Sequence, residues 1–199
     1  MTQPLILASR SAARAALLSA AGVAVEVAPA AVDEAAVKRA MAAEGAPARD
    51  VGDALAELKA RRVGARAPGR LVVRADQVLV CEGRIHDKPE DLADAADQLR
   101  GLRGRTHELF SAAVVCEGPQ PVWRHVGRAR MTMRPFSDAF LARYVADHGA
   151  SLLETVGAYR LEAGGAQLFS RVEGDYFSVL GLPRLELLGF LRARGVCLE

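Results

Sequence analysis

The sequence predicts a mixed α/β fold, in which a β-sheet is flanked by helices. Short apolar runs typical of buried strands alternate along the chain with stretches whose apolar residues recur at helical spacing. They interleave without a detectable internal repeat, which favours a mixed sheet over a helical bundle or a β-sandwich. The 199 residues, 51% of them hydrophobic, are enough to build the core of one domain, which we expect to span residues 1–199.

The first 70 residues predict two strands and three helices. Ser9 and Ser11 offer N-cap hydroxyls to the first helix, and Gly22 ends it. Asp50 or Asp53 is expected to cap the third helix. The predicted elements are a strand over 5–8, a helix over 11–21, a strand over 23–27, an Ala-rich helix ending near Gly45, and a helix carrying Val51, Leu55, Leu58 and Arg62.

The middle of the chain predicts a charged interruption and a ribbon. The apolar runs 71–73 and 78–80 are typical of buried strands, and Arg74-Ala75-Asp76-Gln77 separates them. Glu82-Gly83 predicts a hairpin turn. The elements predicted next are a helix between Lys88-Pro89 and Gly101, and two long antiparallel strands over 106–116 and 122–133 joined by a Pro-rich turn.

The last third predicts two helices around one more strand. Ser137 caps a helix that ends at Gly149, and a Gly-rich segment over 157–165 follows it. A strand over 167–172 and a final helix over 184–194 complete the prediction.

Composition excludes several classes of function. The chain has 26 Lys and Arg against 24 Asp and Glu, so it lacks the basic excess of proteins that bind nucleic acid polymers or anionic membranes non-specifically. No run approaches the ~18 apolar residues of a membrane span.

Cys81, Cys116 and Cys197 are scattered and odd in number, which indicates neither a disulfide framework nor a zinc site. A reducing cytoplasm is the expected location. The acid-free stretch before Glu26 is also similar to a transit peptide, although its strand and helix pattern favours a folded segment.

The start of the first helix is electrostatically unusual. Arg10 and Arg14 stand at the end of the helix that already carries partial positive charge. A phosphate bound by free backbone N–H groups, Ser9, Ser11 and the two arginines would relieve this conflict. The alternative is that both arginines point into water. Lys59 and Lys88 are further candidate phosphate ligands, although lysines usually lie at the surface.

Asp76 is an acid inside an apolar run, which is costly unless it is paired, solvated or metal-bound. A buried salt bridge with Arg74 is the structural alternative to a functional role. Asp33-Glu34 adds acids after the second strand, and magnesium binds carboxylates together with substrate phosphate oxygens. His86 and His107 lack the spacing of a zinc site and are expected to be structural.

Short motifs along nearly the whole chain resemble those of the Maf family, the septum-formation-inhibitor-like nucleotide pyrophosphatases. They are Leu7-Ala8-Ser9-Arg10-Ser11 with Arg14, Val32-Asp33-Glu34, Lys59-Ala60, Ala75-Asp76-Gln77, Lys88-Pro89, Gly104-Arg105-Thr106-His107, Gly157-Ala158-Tyr159, Gly174-Asp175-Tyr176 and Val179-Leu180-Gly181-Leu182-Pro183. The resemblance implies a two-lobed mixed sheet with a central nucleotide-binding cleft, like that of the ITPases. It also implies cleavage of a nucleoside triphosphate to the monophosphate and pyrophosphate with a divalent cation, Mg²⁺ or Mn²⁺.

The resemblance also implies roles for individual residues. Asp76 would be the catalytic acid or base, and Glu34 and Asp76 would place the metal. The expected phosphate ligands are Ser9, Arg14, Lys59 and Lys88. A homodimer is compatible with the family, the expected ligand is a nucleoside triphosphate, and neither a nucleic acid polymer nor a membrane is expected as a partner.

Base choice is expected to depend on Ala13, Gln77 and Glu162. Gln after the Asp, and Glu near the Gly-Ala-Tyr motif, resemble the 7-methyl-GTP pyrophosphatases rather than the dTTP/UTP enzymes. Ala13, Arg74 and Thr155 depart from the family pattern. Two alternatives therefore stay open, a dTTP/UTP pyrophosphatase and an inactive nucleotide-binding regulator of cell division.

Overall fold

Seven strands form one mixed sheet in the computed structural model, which describes residues 3–197. The strands are β1 (Leu5–Leu7), β2 (Val25–Val27), β3 (Leu71–Cys81), β4 (Arg84–His86), β5 (Thr106–Glu117), β6 (Gln120–Met133) and β7 (Phe169–Glu173). Their order is β2-β1-β3-β5-β6-β7, with β4 paired to β3. β1 runs parallel to β2 and β3, and the other pairs are antiparallel. The predicted mixed α/β class is confirmed.

Helices flank the sheet. They are α1 (Ala12–Ser19), α2 (Glu34–Ala43), α3 (Ala48–Gly64), α4 (Leu92–Leu102), α5 (Asp138–His148), α6 (Tyr176–Val179) and α7 (Arg184–Ala193). Ser11 and Ser137 are the N-caps expected from the sequence, each accepting a hydrogen bond from the amide three residues later. None of the helices within residues 3–197 is long and apolar enough to cross a membrane.

The start of α3 differs from the prediction. The helix begins at Ala48 after Pro47, without a side-chain cap, so Asp50 and Asp53 lie inside it. Pro47 has the φ of a helix, −58°, but a ψ of 145°, so it precedes the helix as its N-cap residue. Lys59 lies on the buried side of α3, and not at the surface, where lysines usually lie.

The charged insert does not interrupt β3, which is continuous through Arg74-Ala75-Asp76-Gln77. One edge of β3 pairs with β1 up to Val73 and with β4 from Leu79 onwards. Between these two points the described strands leave that edge open. The gap lies where β1 ends, so polar residues of the insert adjoin the turn that begins α1.

The two faces of β3 support different layers. Side chains alternate along a strand, so Arg74 and Asp76 share one face and Gln77 lies on the other. Ala56 and Ala60 of α3 pack on the face of Asp76. The opposite face packs against α1 and α7 near Val73, and against α4 and α5 near Leu79, in two separate apolar clusters. A single domain with two lobes stays a prediction.

The β5–β6 ribbon is longer than predicted. Glu117 pairs with Gln120, so the turn contains only Gly118 and Pro119. Gly64 at the end of α3 packs against this turn, where a Cβ atom would lie 1.8 Å from the Gly118 carbonyl oxygen. This close approach fixes α3 against the sheet and with it the depth of Lys59.

Candidate active site

A buried ammonium group joins two carboxylates at the open edge of β3. Lys59 Nζ lies 2.8 Å from Asp76 Oδ1 and 2.8 Å from Glu34 Oε1. The Lys59 side chain is only 2% exposed, whereas that of Glu34 is 48% exposed. The three residues come from α3, β3 and the first position of α2, so one cation links three elements.

Asp76 is held as an ionised carboxylate. Arg74 Nε donates to Oδ2 at 2.9 Å and Arg74 Nη2 donates to Oδ1 at 2.7 Å, a two-point contact that suits the guanidinium fork. Burial alone would raise the pKa of Asp76. The hydrogen bond and charge of Arg74, with the charges of Arg14 and Lys59, outweigh it and lower that pKa below its usual value. The structural interpretation of Asp76 as a salt-bridge partner of Arg74 is therefore confirmed as a contact.

The turn between β1 and α1 brings Arg14 to the same place. Ser9 is buried, and its Oγ accepts from the Ser11 amide at 3.1 Å and from Arg14 Nη1 at 3.5 Å. Arg14 Nε donates to the Gly181 carbonyl at 2.9 Å. Burial and the charge of Arg74 lower the pKa of Arg14 to about 10, against the opposing charges of Asp76 and Glu34. Arg10 is exposed, as the alternative of arginines pointing into water predicts for that residue.

Lys88 belongs to the same charge environment. Burial and the charges of Arg14 and Arg74 lower its pKa, while Glu34 and Glu154 oppose the shift. The neighbouring Asp87 forms an ion pair with Lys38 of α2, which ties the loop before α4 to the helix that carries Glu34. The structure thus brings Ser9, Arg14, Glu34 and Lys59 together around Asp76, and it places the exposed Lys88 within the electrostatic reach of Arg14 and Glu34.

Gln77 is directed away from this cluster. Its Nε2 donates to Ser111 Oγ at 3.0 Å, to the Ser178 carbonyl at 3.1 Å and to the Val179 carbonyl at 3.0 Å. The side chain therefore ties β3 to α6 on the opposite sheet face. The segment it holds leads to Gly181, whose carbonyl accepts from Arg14. Gln77 is therefore connected to the cluster around Asp76 only through this segment.

The other two residues predicted to select the base are exposed. Ala13 lies on the open side of α1. Glu162 follows the Gly-Ala-Tyr segment, and within residues 3–197 no hydrogen bond or ion pair joins it to Asp76 or its partners. Burial raises the pKa of Tyr144 to about 12, and the negative charge of Glu162 makes a smaller contribution in the same direction.

His107 is a buried structural residue, as expected. Its Nε2 lies 2.7 Å from the Tyr159 hydroxyl, and its ring packs against Tyr159 and Phe169. Burial, with a smaller effect of His86, lowers the pKa of His107 to about 4. Nδ1 has no partner in the described part of the chain. The contact between His107 Nε2 and the Tyr159 hydroxyl fixes the Gly-Ala-Tyr segment to β5.

Two contacts in the site were not predicted from the sequence, which paired Arg74 with Asp76 only. Arg74 Nη1 donates to the Ala8 carbonyl at 2.9 Å, in addition to its bonds with Asp76. The Gly181 carbonyl orients Arg14. The Arg-x-Asp spacing in a strand signals only the pairing of Arg74 with Asp76, because residues two apart share a face, whereas the first of these contacts joins residues 66 apart in the chain. The second depends on tertiary packing between segments 167 residues apart.

The carboxylates fit a magnesium or manganese ion that arrives with phosphate oxygens. The described residues contain no group of three or more His, Cys, Asp and Glu arranged to hold a metal alone. Mg²⁺ is usually bound through one or two carboxylates together with substrate phosphates. Glu34 and Asp76, which share the Lys59 ammonium, are such a pair.

Comparison with known proteins identifies the family. The family model for Maf-like protein matches residues 4–194. The nucleoside triphosphate pyrophosphatase of Roseobacter denitrificans is 53% identical over 98% of both chains. Nucleoside triphosphate pyrophosphatase 1 of Jannaschia sp. is 52% identical over 96% of this chain and 97% of its own.

A relative and a solved structure extend the comparison. The nucleoside triphosphate pyrophosphatase of Caulobacter vibrioides is 50% identical over 96% of both chains. A solved nucleoside-triphosphatase, the dITP/XTP pyrophosphatase of Mycobacterium abscessus, aligns with 96% of this chain and 94% of its own at 18% identity, with a TM-score of 0.44, a likeness on which we base no argument. The family match and the identities over nearly the full length lead to one conclusion: the chain belongs to the Maf-like protein family.

Proposed function

We propose that this chain is a nucleoside triphosphate pyrophosphatase, a hydrolase that releases the nucleoside monophosphate and pyrophosphate. Relatives about half identical over nearly their whole length carry that name. The observation that carries the proposal is the Lys59 ammonium held between Glu34 and Asp76. It combines a cation that would bind phosphate with two acids that would bind a metal, in one partly buried cluster.

The charge of the cluster suits a polyphosphate with a divalent cation. Arg14, Lys59 and Arg74 act on the carboxylates Glu34 and Asp76, and the charge of Lys88 is coupled to that of Glu34, so these six groups carry two net positive charges. A nucleoside triphosphate with one divalent cation carries roughly two net negative charges at neutral pH. Binding would therefore neutralise a cluster whose cations repel one another in the free protein.

In the proposed reaction, water attacks the α-phosphorus and the bond to the α–β bridging oxygen breaks. Asp76 orients this water and accepts its proton at Oδ2, the oxygen that does not contact Lys59. The low pKa of Asp76 makes it a weak base in the free protein. Arriving phosphates offset the cations around Asp76, which strengthens it as a base. Ser9, Arg14 and Lys88 bind the phosphates, and Lys59 and Arg14 stabilise the charge of the leaving pyrophosphate.

Glu34 and Asp76 are the residues that would hold a divalent cation. When bound, Mg²⁺ or Mn²⁺ would supply Lewis-acid stabilisation of the phosphoryl oxygens. Glu34 is suited to bind a divalent cation because its carboxylate is half-exposed. Its present ion-pair partner is Lys59, which the cation would replace.

The preferred substrate we propose is 7-methyl-GTP or another modified nucleotide. Gln77 and Glu162, at the positions that resemble the 7-methyl-GTP type, support this choice. We propose that Gln77 acts through the α6 segment that it holds, because its amide nitrogen is engaged by protein acceptors. Clearance of unwanted nucleotides would be the biological role. The cytoplasm is the proposed location, and the free Cys81, Cys116 and Cys197 are compatible with a reducing compartment.

Pyrophosphate release from a panel of nucleotides tests the proposal. The panel contains 7-methyl-GTP, GTP, UTP, dTTP and ATP, each with Mg²⁺ and with a chelator. We expect release with Mg²⁺ and fastest release from 7-methyl-GTP. A lead for UTP or dTTP would support the alternative substrate class. Tight nucleotide binding without any release would overturn the enzyme proposal and favour a nucleotide-binding regulator.

A further inference from the structure

Arg74 makes three hydrogen bonds at the proposed nucleotide-binding cleft around Asp76 and is almost inaccessible. Two of them reach both oxygens of Asp76, and the third reaches the Ala8 carbonyl at 2.9 Å. The side chain is 12% exposed. A guanidinium in this position lies between the carboxylate proposed to act on water and the turn proposed to bind phosphate.

Arg74 determines which part of Asp76 stays available. An ionised carboxylate has about four acceptor positions, two on each oxygen. Oδ1 accepts from Lys59 at 2.8 Å and from Arg74 at 2.7 Å, while Oδ2 accepts from Arg74 alone at 2.9 Å. One acceptor position therefore remains, and it lies on Oδ2.

Arg74 also fixes the phosphate-binding turn relative to this oxygen. Ala8 immediately precedes Ser9, whose Oγ contacts the Ser11 amide and Arg14. The bond from Arg74 to the Ala8 carbonyl therefore connects β3 to the start of α1 at the point where β1 ends. Arg74 therefore positions Asp76 Oδ2 and the turn proposed to bind phosphate relative to each other.

The position of Arg74 disfavours a free cation in the cleft. Its charge lies next to those of Arg14 and Lys59, and the repulsion contributes to the low pKa of Arg14. A divalent cation approaching the empty cleft would meet this positive charge and a carboxylate with one open position. A triphosphate, in contrast, would be attracted.

We propose that Arg74 is a positioning residue that presents Asp76 through Oδ2 alone and keeps divalent cations out of the cleft until a triphosphate is bound. This inference rests on the proposed function. It assigns two separable roles, one that depends on the charge of Arg74 and one that depends on the shape of its guanidinium.

Two variants separate these roles. Arg74→Met removes both the charge and the fork, and Arg74→Lys keeps the charge without the fork. Arg70→Met is the matched control, since Arg70 bonds the Pro4 carbonyl and Glu26 outside the cleft. Circular dichroism and thermal unfolding establish that each variant is folded.

The charge role is measured without turnover. Calorimetry reports Mn²⁺ binding to the nucleotide-free protein and, in chelator, binding of a non-hydrolysable triphosphate analogue. For Arg74→Met we expect Mn²⁺ to bind at least about tenfold more tightly and the analogue about tenfold more weakly, the scale of one lost charge-assisted hydrogen bond. Arg74→Lys and Arg70→Met should stay within about threefold of wild type in both measurements.

The shape role is measured in the split between kcat and KM. Arg74→Lys should lower kcat at least about tenfold and leave KM within about threefold, because the phosphates still meet a cation while Asp76 is no longer held at two points. Unchanged Mn²⁺ binding in Arg74→Met, or wild-type kcat in Arg74→Lys, would overturn the inference. Wild-type protein that releases pyrophosphate from no nucleotide would instead defeat the proposed function, and the calorimetric measurements would still decide the role of Arg74.

Discussion

Lys59 Nζ lies 2.8 Å from Asp76 Oδ1, and both side chains are buried. A buried ion pair is favourable only when further hydrogen bonds offset the cost of removing both groups from water. Arg74 provides those bonds to Asp76, and Glu34 provides a second carboxylate for Lys59. The members of the cluster therefore pair mainly with one another and leave one acceptor position open on Asp76 Oδ2. Removing different members should therefore affect binding and catalysis in different ways.

Asp76→Asn should reduce kcat by at least about a hundredfold, because the amide cannot accept the proton of the attacking water. Triphosphate binding in the presence of chelator should be as tight as in wild type or tighter, since the substitution removes a negative charge from the cleft. Steady-state kinetics and calorimetry measure the two effects. Asp97→Asn on the exposed side of α4 is the control for the same chemical change. Turnover near the wild-type rate would remove Asp76 from the mechanism.

Activity should disappear in excess chelator and return with Mg²⁺ or Mn²⁺. Glu34→Gln should raise the Mg²⁺ concentration that gives half-maximal activity by about tenfold, equivalent to ~1.4 kcal/mol of lost metal binding. Glu34 is exposed enough for this substitution to leave the fold intact. Glu44→Gln at the other end of α2 is the matched control. Hydrolysis that persists undiminished in chelator would count against a role for the metal.

Acid should destabilise the protein through His107. The native pKa is about 4, whereas an unfolded histidine titrates near 6.5, so below pH ~6.5 the unfolded chain binds the proton more readily. The stability that neutral His107 provides is present above that pH and is lost as the pH falls towards 4. The shift corresponds to about 3 kcal/mol.

Urea unfolding of wild type and His107→Gln at pH 7 and pH 4.5 measures this loss. The free energy of unfolding should fall more steeply with acid in wild type than in the variant, which carries no titrating group at that position. His125→Gln, in which the replaced ring is 38% exposed, is the control. Equal slopes for His107→Gln and wild type would show that His107 is not buried in its neutral form.

The sequence predicted most of this architecture because local signals agree with tertiary structure over most of the chain. Ser11 and Ser137 cap their helices as expected, and Glu82 and Gly83 adopt the positive φ angles of 50° and 78° of a tight hairpin. The start of α3 was predicted too late because Pro47 provides a helical φ without a side-chain cap.

The candidate site was only partly predictable. Asp76 and Arg74 break the apolar pattern of β3, so their special environment is visible in sequence. The burial of Lys59 is not, because it depends on the close approach of Gly64 to the β5–β6 turn. The face of Gln77 follows from strand alternation once β3 is known to be continuous, and the sequence predicted a break there.

Base choice provides the last prediction, because Glu162 can be changed without disturbing the cluster around Asp76. Guanine presents an N1–H and an amino group side by side, and one carboxylate can accept from both, whereas uracil and thymine offer one donor there. Losing such a two-point contact costs ~1–3 kcal/mol, or about ten- to a hundredfold in selectivity. We therefore expect 7-methyl-GTP to be cleaved better than UTP or dTTP, and Glu162→Gln to reduce that preference.

Competition assays with mixed nucleotides measure the ratio of kcat/KM values directly. Glu154→Gln is the comparison variant, since Glu154 acts on Lys88 and should change phosphate binding equally for all bases. A lead for UTP or dTTP in wild type, or an unchanged ratio in Glu162→Gln, would reject this assignment of the base-reading residue while leaving the reaction at Asp76 untouched.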